Sequence, residues 1–182
     1  MNTITTSVFM NTEQLIQMLK ECSAIKFGHF ILTSGAISDY YIDIKKASTN
    51  PNTLKKIAET MAKYAKGYDL IAGMELGAVP LIVALSLETK IPYVIIRKEK
   101  REHGTIKQIE GGDVKNKKIL VVEDVTTSGK SVVKTLQIII KNHGKVDKVL
   151  VVVDRESGAR EKIENLNVEL IPLLSVSKIL RK

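Results

Sequence analysis

The chain has no tryptophan, and aromatic side chains make up only 4 % of its 182 residues. Proteins that hold single-stranded nucleic acid by stacking bases on aromatic rings need more of them, so that class of function is disfavoured. It has one cysteine, Cys22, so no internal disulfide can form. Cys22 falls among apolar helix positions, which predicts a structural thiol in a reduced, intracellular setting. Apolar residues nowhere run unbroken for the roughly 18 needed to span a membrane. Residues Met1 to Met10 also lack the cationic start and apolar block of an export leader. A cytoplasmic location and no membrane partner are expected. Neither an internal repeat nor a low-complexity linker divides the sequence, so a single domain over residues 1–182 is expected.

What is present is ordinary for a globular protein: 44 % apolar and 26 % charged residues. The formal net charge of +8 fits an anionic ligand, and it fits weak RNA or DNA association equally well. The informative stretch is Lys118 to Ser131. Its apolar run Ile119 to Val122 is short and β-branched, as in a strand buried on both faces of a parallel sheet. Glu123 and Asp124 are expected where that strand leaves the sheet, and Thr126, Thr127, Ser128 and Gly129 form a loop before a helix marked by Val132, Val133, Leu136, Ile139 and Ile140. A helix N-terminus offers unpaired N–H groups and the positive end of the helix dipole, so this loop suits a phosphate. The neighbouring carboxylates would repel a phosphate and suit hydroxyls or magnesium. A phosphate with a diol a few ångströms away describes a ribose 5-phosphate. Gly129-Lys130-Ser131 resembles the end of a nucleotide-binding P-loop, but Asp124 stands where that motif needs glycine. The alternative is an ordinary strand-to-helix turn with two solvated acids.

Elsewhere the pattern alternates between strand and helix. Asn11 caps a first helix carrying Leu15, Met18, Leu19 and Cys22. Phe30 to Leu32 and Tyr40 to Ile44 read as a hairpin around Thr33 to Ala36, with Tyr40 and Tyr41 either packing the hairpin or facing a planar ligand. A helix starts at Asn50-Pro51 and ends by Gly67. Strands are expected at Leu70 to Gly73, Tyr93 to Ile96, Val149 to Val153 and Val168 to Leu173. Further helical segments are expected at Leu81 to Leu87, Glu156 to Ala159 and Ser175 to Lys182. This is the rhythm of a parallel doubly wound sheet. Arg97 to Val114 breaks it with a long basic connection, the kind of loop that often serves as a lid. Arg155 is expected beyond the same carboxyl edge of the sheet as Glu123, where open α/β proteins bind ligands.

Together, Ile119 to Ser131, Arg97-Lys98-Glu99-Lys100-Arg101-Glu102-His103-Gly104, and Phe27-Gly28 through Ser38-Asp39-Tyr40-Tyr41 resemble the orotate phosphoribosyltransferase family, with Gly73 to Pro80 and Val151 to Arg155 in register. The resemblance covers nearly the whole chain. It implies the type I phosphoribosyltransferase fold, α/β with a mostly parallel central sheet flanked by helices. It further implies a small hood from residues 1–45 and the C-terminal segment, and a flexible catalytic loop over residues 98–113. The implied reaction is transfer of a 5-phosphoribosyl group from phosphoribosyl pyrophosphate (PRPP) to orotate, with Mg2+ bound mainly through PRPP and no metal site of the protein's own.

By position, Glu123 and Asp124 would hold the ribose hydroxyls, and Val125, Thr126, Thr127, Ser128, Gly129, Lys130 and Ser131 would wrap the 5-phosphate. Arg97, Lys98, Arg101 and His103 would bind pyrophosphate, with Arg101, His103 and Asp124 as the catalytic residues. Thr127 and Arg155 would meet orotate, the arginine by two parallel hydrogen bonds to its carboxylate. A homodimer that shares the lid between subunits is implied as well. Where well-known bacterial members carry lysine, this chain has Thr33 and Gly77, as archaeal-type sequences do. On the lid, Arg101 or Lys100 supplies the main cation. Two other functions compete. One is transfer to a purine base, which the lid motif and Arg155 disfavour. The other is a PRPP-sensing DNA-binding regulator, for which 182 residues leave no helix-turn-helix domain.

Overall fold

The computed structural model describes residues 12–31, 37–99 and 108–181. In chain order the elements are α1 (Thr12–Glu21), β1 (Ile25–Ile31), β2 (Ile37–Ile42), α2 (Ile44–Ser48), α3 (Pro51–Ala62), β3 (Leu70–Met74), α4 (Val79–Thr89), β4 (Tyr93–Ile96), β5 (Ile109–Glu110), β6 (Lys118–Thr126), α5 (Lys130–Lys141), β7 (Lys145–Asp154), α6 (Ala159–Glu164), β8 (Glu169–Ser175) and α7 (Val176–Leu180). Strands β1 and β2 pair antiparallel as a separate ribbon, and the other six form one sheet in the order β5-β4-β3-β6-β7-β8. Its neighbours are parallel except at the β4–β5 edge.

The apolar runs bury both faces of this sheet, and residues alternate between them. On β6, Leu120 and Val122 join a core with Ile57 and Met61 of α3 and Leu81, Ile82 and Leu85 of α4. Ile119 and Val121 join the opposite core, with Val132, Leu136 and Ile139 of α5 and Ile163 of α6. Leu15 and Leu19 of α1 and Ile179 of α7 share the first core, so the two ends of the described chain pack together beside the ribbon. Helix α3 begins as expected: the Asn50 side-chain oxygen accepts the Thr53 N–H at 3.0 Å, with Pro51 at the first helical position.

Several boundaries differ from the sequence expectations. The strand bearing the two acids runs on to Thr126, because the ladder with β7 continues through Val125 to Val153 and Thr126 to Asp154. Glu123 and Asp124 therefore lie inside β6. The segment expected to be one long connection contains β5, whose Glu110 and Ile109 pair with Ile95 and Ile96. The last short helical stretch before β8 starts at Ala159, where Glu156 to Ala159 was expected. Helix α3 ends at Ala62, short of Gly67, and α2 went unpredicted. Asn11, the hairpin turn Thr33 to Ala36, and the lid positions Lys100, Arg101, His103 and Gly104 lie outside the described residues.

Candidate functional site

The chain proceeds from β3 to β4 on one side and later places β6 on the other side of β3, so the strand order reverses between β3 and β6. A crevice beyond the carboxyl ends of strands at such a reversal is where open α/β sheets bind ligands. Glu123 to Ser131, Arg155 and the loop between β3 and α4 all meet at this edge.

Because side chains alternate along a strand, the adjacent acids face opposite ways. Glu123 follows Ile119 and Val121 toward α5, where it is 5 % exposed and its Oε2 accepts a 2.8 Å hydrogen bond from Ser131 Oγ. Burial above all, with the Asp124 charge next door, pushes its carboxyl from an ordinary value of 4.5 up to about 8. Asp124 follows Leu120 and Val122 to the other face. Its carboxylate lies against Gly77, where an added Cβ would come within 2.1 Å of Oδ2, while Oδ1 accepts the Val125 N–H at 2.8 Å. Glycine at position 77 is what admits this carboxylate to the crevice.

The phosphate-loop residues follow directly. Thr126 is buried, Val125 and Ser128 are half-buried, and Thr127, Lys130 and Ser131 are exposed. Gly129 adopts a left-handed φ of 75° as the N-cap of α5, and no side chain caps the helix. The first helical bond returns from the Val133 N–H to the Gly129 carbonyl at 2.9 Å. The amides of the first turn thus face the loop. Ala159 of α6 approaches Gly129 so closely that a Cβ there would stand 3.1 Å from the Ala159 Cα.

Arg155 is joined to the same loop by its N–H, which donates to the Thr126 carbonyl at 2.9 Å. Its guanidinium carbon lies 5.1 Å from the Tyr40 ring centroid, so Tyr40 faces the crevice while Tyr41 packs on Phe30. Arg155 Nε is buried without a hydrogen-bond partner among the described residues, as is Thr126 Oγ1. A surface pairing of Arg155 with Glu156 does not occur, since the Glu156 carboxylate instead accepts from the N–H and Oγ of Ser177. Two orphaned buried groups on adjoining strand ends point to a polar ligand.

Arg97 sits just past β4, with Nη1 3.6 Å from Glu110 Oε1, and Lys98 follows, exposed. Arg101 and His103, the other two expected pyrophosphate ligands, lie outside the described residues.

The sequence reading missed Lys45. Partial burial works against its ammonium, but Asp43, 3.3 Å away, and Asp124 outweigh that and hold it above the usual lysine value. It was hidden because α2 has five residues, too few to show periodicity. Among the described residues no three acidic, histidine or cysteine side chains converge as a metal cage. A magnesium ion here would take most of its oxygens from a bound phosphate ligand and water, which suits its chemistry.

Comparison with known proteins agrees with this geometry. A phosphoribosyl transferase domain model matches residues 44–171. The orotate phosphoribosyltransferase of Pyrococcus abyssi is 52 % identical over 171 residues, covering 92 % of this chain and 94 % of the relative. The crystal structure of orotate phosphoribosyltransferase from Aeropyrum pernix superposes with a TM-score of 0.82 at 29 % identity, covering 91 % of this chain and 96 % of that one. That of the Mycobacterium tuberculosis enzyme in complex with PRPP gives 0.77 at 27 % identity, covering 92 % and 98 %. The chain has the type I phosphoribosyltransferase fold and belongs to the orotate phosphoribosyltransferase family.

Proposed function

We infer that the protein transfers the 5-phosphoribosyl group of PRPP to orotate, giving orotidine 5'-monophosphate and pyrophosphate in pyrimidine biosynthesis. The observation that carries this reading is the Arg155 side chain, whose buried Nε has no hydrogen-bond partner among the described residues, beside an open phosphate loop, with Asp124 between that loop and Gly77. The α5 amides with Thr126 to Ser131 take the 5-phosphate, and Asp124, backed by Glu123, takes the ribose hydroxyls. Arg155 grips the orotate carboxylate, Tyr40 flanks it, and Thr127 approaches the base.

In the reaction the anomeric C–O bond to pyrophosphate breaks and its electron pair leaves with the pyrophosphate oxygen. The ring nitrogen of orotate gives up its proton, to the departing pyrophosphate or to water, and supplies the pair for the new C–N bond on the opposite face, which inverts the configuration. Positive charge develops on the ribose, where the Asp124 carboxylate favours it. Negative charge develops on the leaving group, for which Arg97, Lys98, Arg101 and His103 are the proposed partners. Magnesium, held mainly by PRPP, would add charge neutralisation on the pyrophosphate side. The enzyme acts in the cytoplasm as a homodimer in which each lid serves the neighbouring subunit. Cys22, half-buried with Sγ 3.5 Å from the Leu19 carbonyl oxygen, remains a structural thiol.

The test is conversion of orotate, followed by its ultraviolet absorbance with PRPP and magnesium, beside a panel of purine bases assayed for pyrophosphate release. Orotate alone should be consumed. Pyrophosphate released only with a purine would overturn the assignment of the base.

A further inference from the structure

The backbone of Lys98 is held on both sides by charged side chains of two other elements. Its N–H donates to Glu75 Oε1 at 3.0 Å, and its carbonyl accepts from the Lys134 ammonium of α5. Each contact is charge-assisted, since the N–H end of one peptide dipole meets a carboxylate and the carbonyl end of the next meets an ammonium. Glu75 is itself anchored, because its N–H donates to the Ile96 carbonyl at 3.0 Å, and Arg97 N–H closes the base of the same loop on the Gln108 carbonyl at 2.8 Å. The loop after β3, the end of β4 and the phosphate helix α5 therefore converge on the backbone of Lys98.

Placed beside a pyrophosphate subsite, a carboxylate is out of character. Its charge repels the ligand, and Glu75 belongs to the loop that carries Gly77 against Asp124. We propose that Glu75 and Lys134 are positioning residues that fix the backbone on both sides of Lys98, so that Arg97 and Lys98 present their cations to the leaving pyrophosphate. The inference rests on the reading that these two cations bind pyrophosphate.

Charge and positioning predict opposite signs for one substitution. If Glu75 acted only through its charge, Glu75→Ala would tighten pyrophosphate binding. As a positioning residue its loss weakens that binding, on the order of tenfold for one charge-assisted hydrogen bond. Glu75→Gln keeps an acceptor oxygen and should stay close to the starting affinity. Lys134→Ala should also weaken binding, and Lys134→Arg, which keeps a charged donor, should restore it.

The experiment is calorimetric titration of the whole protein with magnesium pyrophosphate, with ribose 5-phosphate as the second probe and thermal unfolding alongside. Support is a loss confined to pyrophosphate in Glu75→Ala and Lys134→Ala, with ribose 5-phosphate affinity and melting temperature unchanged. Unchanged or tighter pyrophosphate binding by Glu75→Ala overturns the proposal, as does an equal loss for both probes. Should Glu75→Ala fail to fold, the Lys134→Ala and Lys134→Arg pair decides by the same criterion. Failure of the unsubstituted protein to bind pyrophosphate would overturn the underlying reading and this inference with it.

Discussion

Gly77 and Arg155 show what single positions contribute. Gly77→Ala would drive a methyl group into the Asp124 carboxylate, at 2.1 Å from Oδ2 before relaxation. Displacing a reacting-site group by about an ångström typically costs on the order of a hundredfold, so kcat/KM should fall by that order while urea unfolding stays near the parent. Steady-state kinetics beside a denaturation curve checks both halves. Arg155→Ala should raise the orotate KM by on the order of ten- to a hundredfold, the worth of a lost charge-assisted hydrogen bond, and leave the PRPP KM nearly unchanged. An unmoved orotate KM would take Arg155 out of the base site. Asp124, the loop to Ser131, and Arg155 could be picked out of the sequence because they stand where apolar runs give way to polar residues. The contact of Gly77 with Asp124 and the nearness of Lys45 could not, since both arise from pairing between segments far apart in the chain.

Strand β6 is the element in which packing and ionisation meet. Its alternation sends Glu123 into the α5 side, where the folded protein holds the carboxyl up to about 8 against 4.5 in the unfolded chain. Between those values the unfolded state has released a proton that the fold retains. Stability therefore falls as pH rises through this window, and the favourable contribution of Glu123 is fully present only below it. Urea unfolding at the two ends of the window should show this decline in the parent protein and a shallower one in Glu123→Gln; parallel slopes would assign the effect to other groups. The sequence reading ended the strand at Val122, where the apolar run stops, but the hydrogen-bonded ladder continues three residues past the first acid to Thr126. Ladder length depends on the partner strand, which local composition does not contain. Two-residue β5 and five-residue α2 escaped for a related reason, as neither is long enough to display a period.

Across the whole molecule, the crevice and the opposite edge of the sheet have separate tasks. At the far edge, Tyr68 Oη donates to Asp147 Oδ1 at 2.6 Å, and Lys118 Nζ lies 2.9 Å from Asp147 Oδ2 and 4.7 Å from the Tyr68 ring centroid. Burial, then the bond to Asp147, pushes the Tyr68 phenol above its ordinary range. Tyr68→Phe should cost about 1–2 kcal/mol of stability, read from urea unfolding, and leave kcat intact, because the network lies away from the ligand edge. An equal loss of activity would mean that the two edges are coupled. Strand and helix alternation, and hence the layered architecture, could be read from the apolar periods, whereas the strand order depends on which edges meet. That order has a consequence for how the protein is made. β3 lies between β4 and β6, yet β6 begins at Lys118, more than forty residues after β3 ends at Met74. During synthesis β3 can gain β4 early but must wait for β6 with one edge open, a template for unwanted pairing between nascent chains. A chain halted before Lys118 should aggregate, and one carried past β6 should be the first to keep that edge closed.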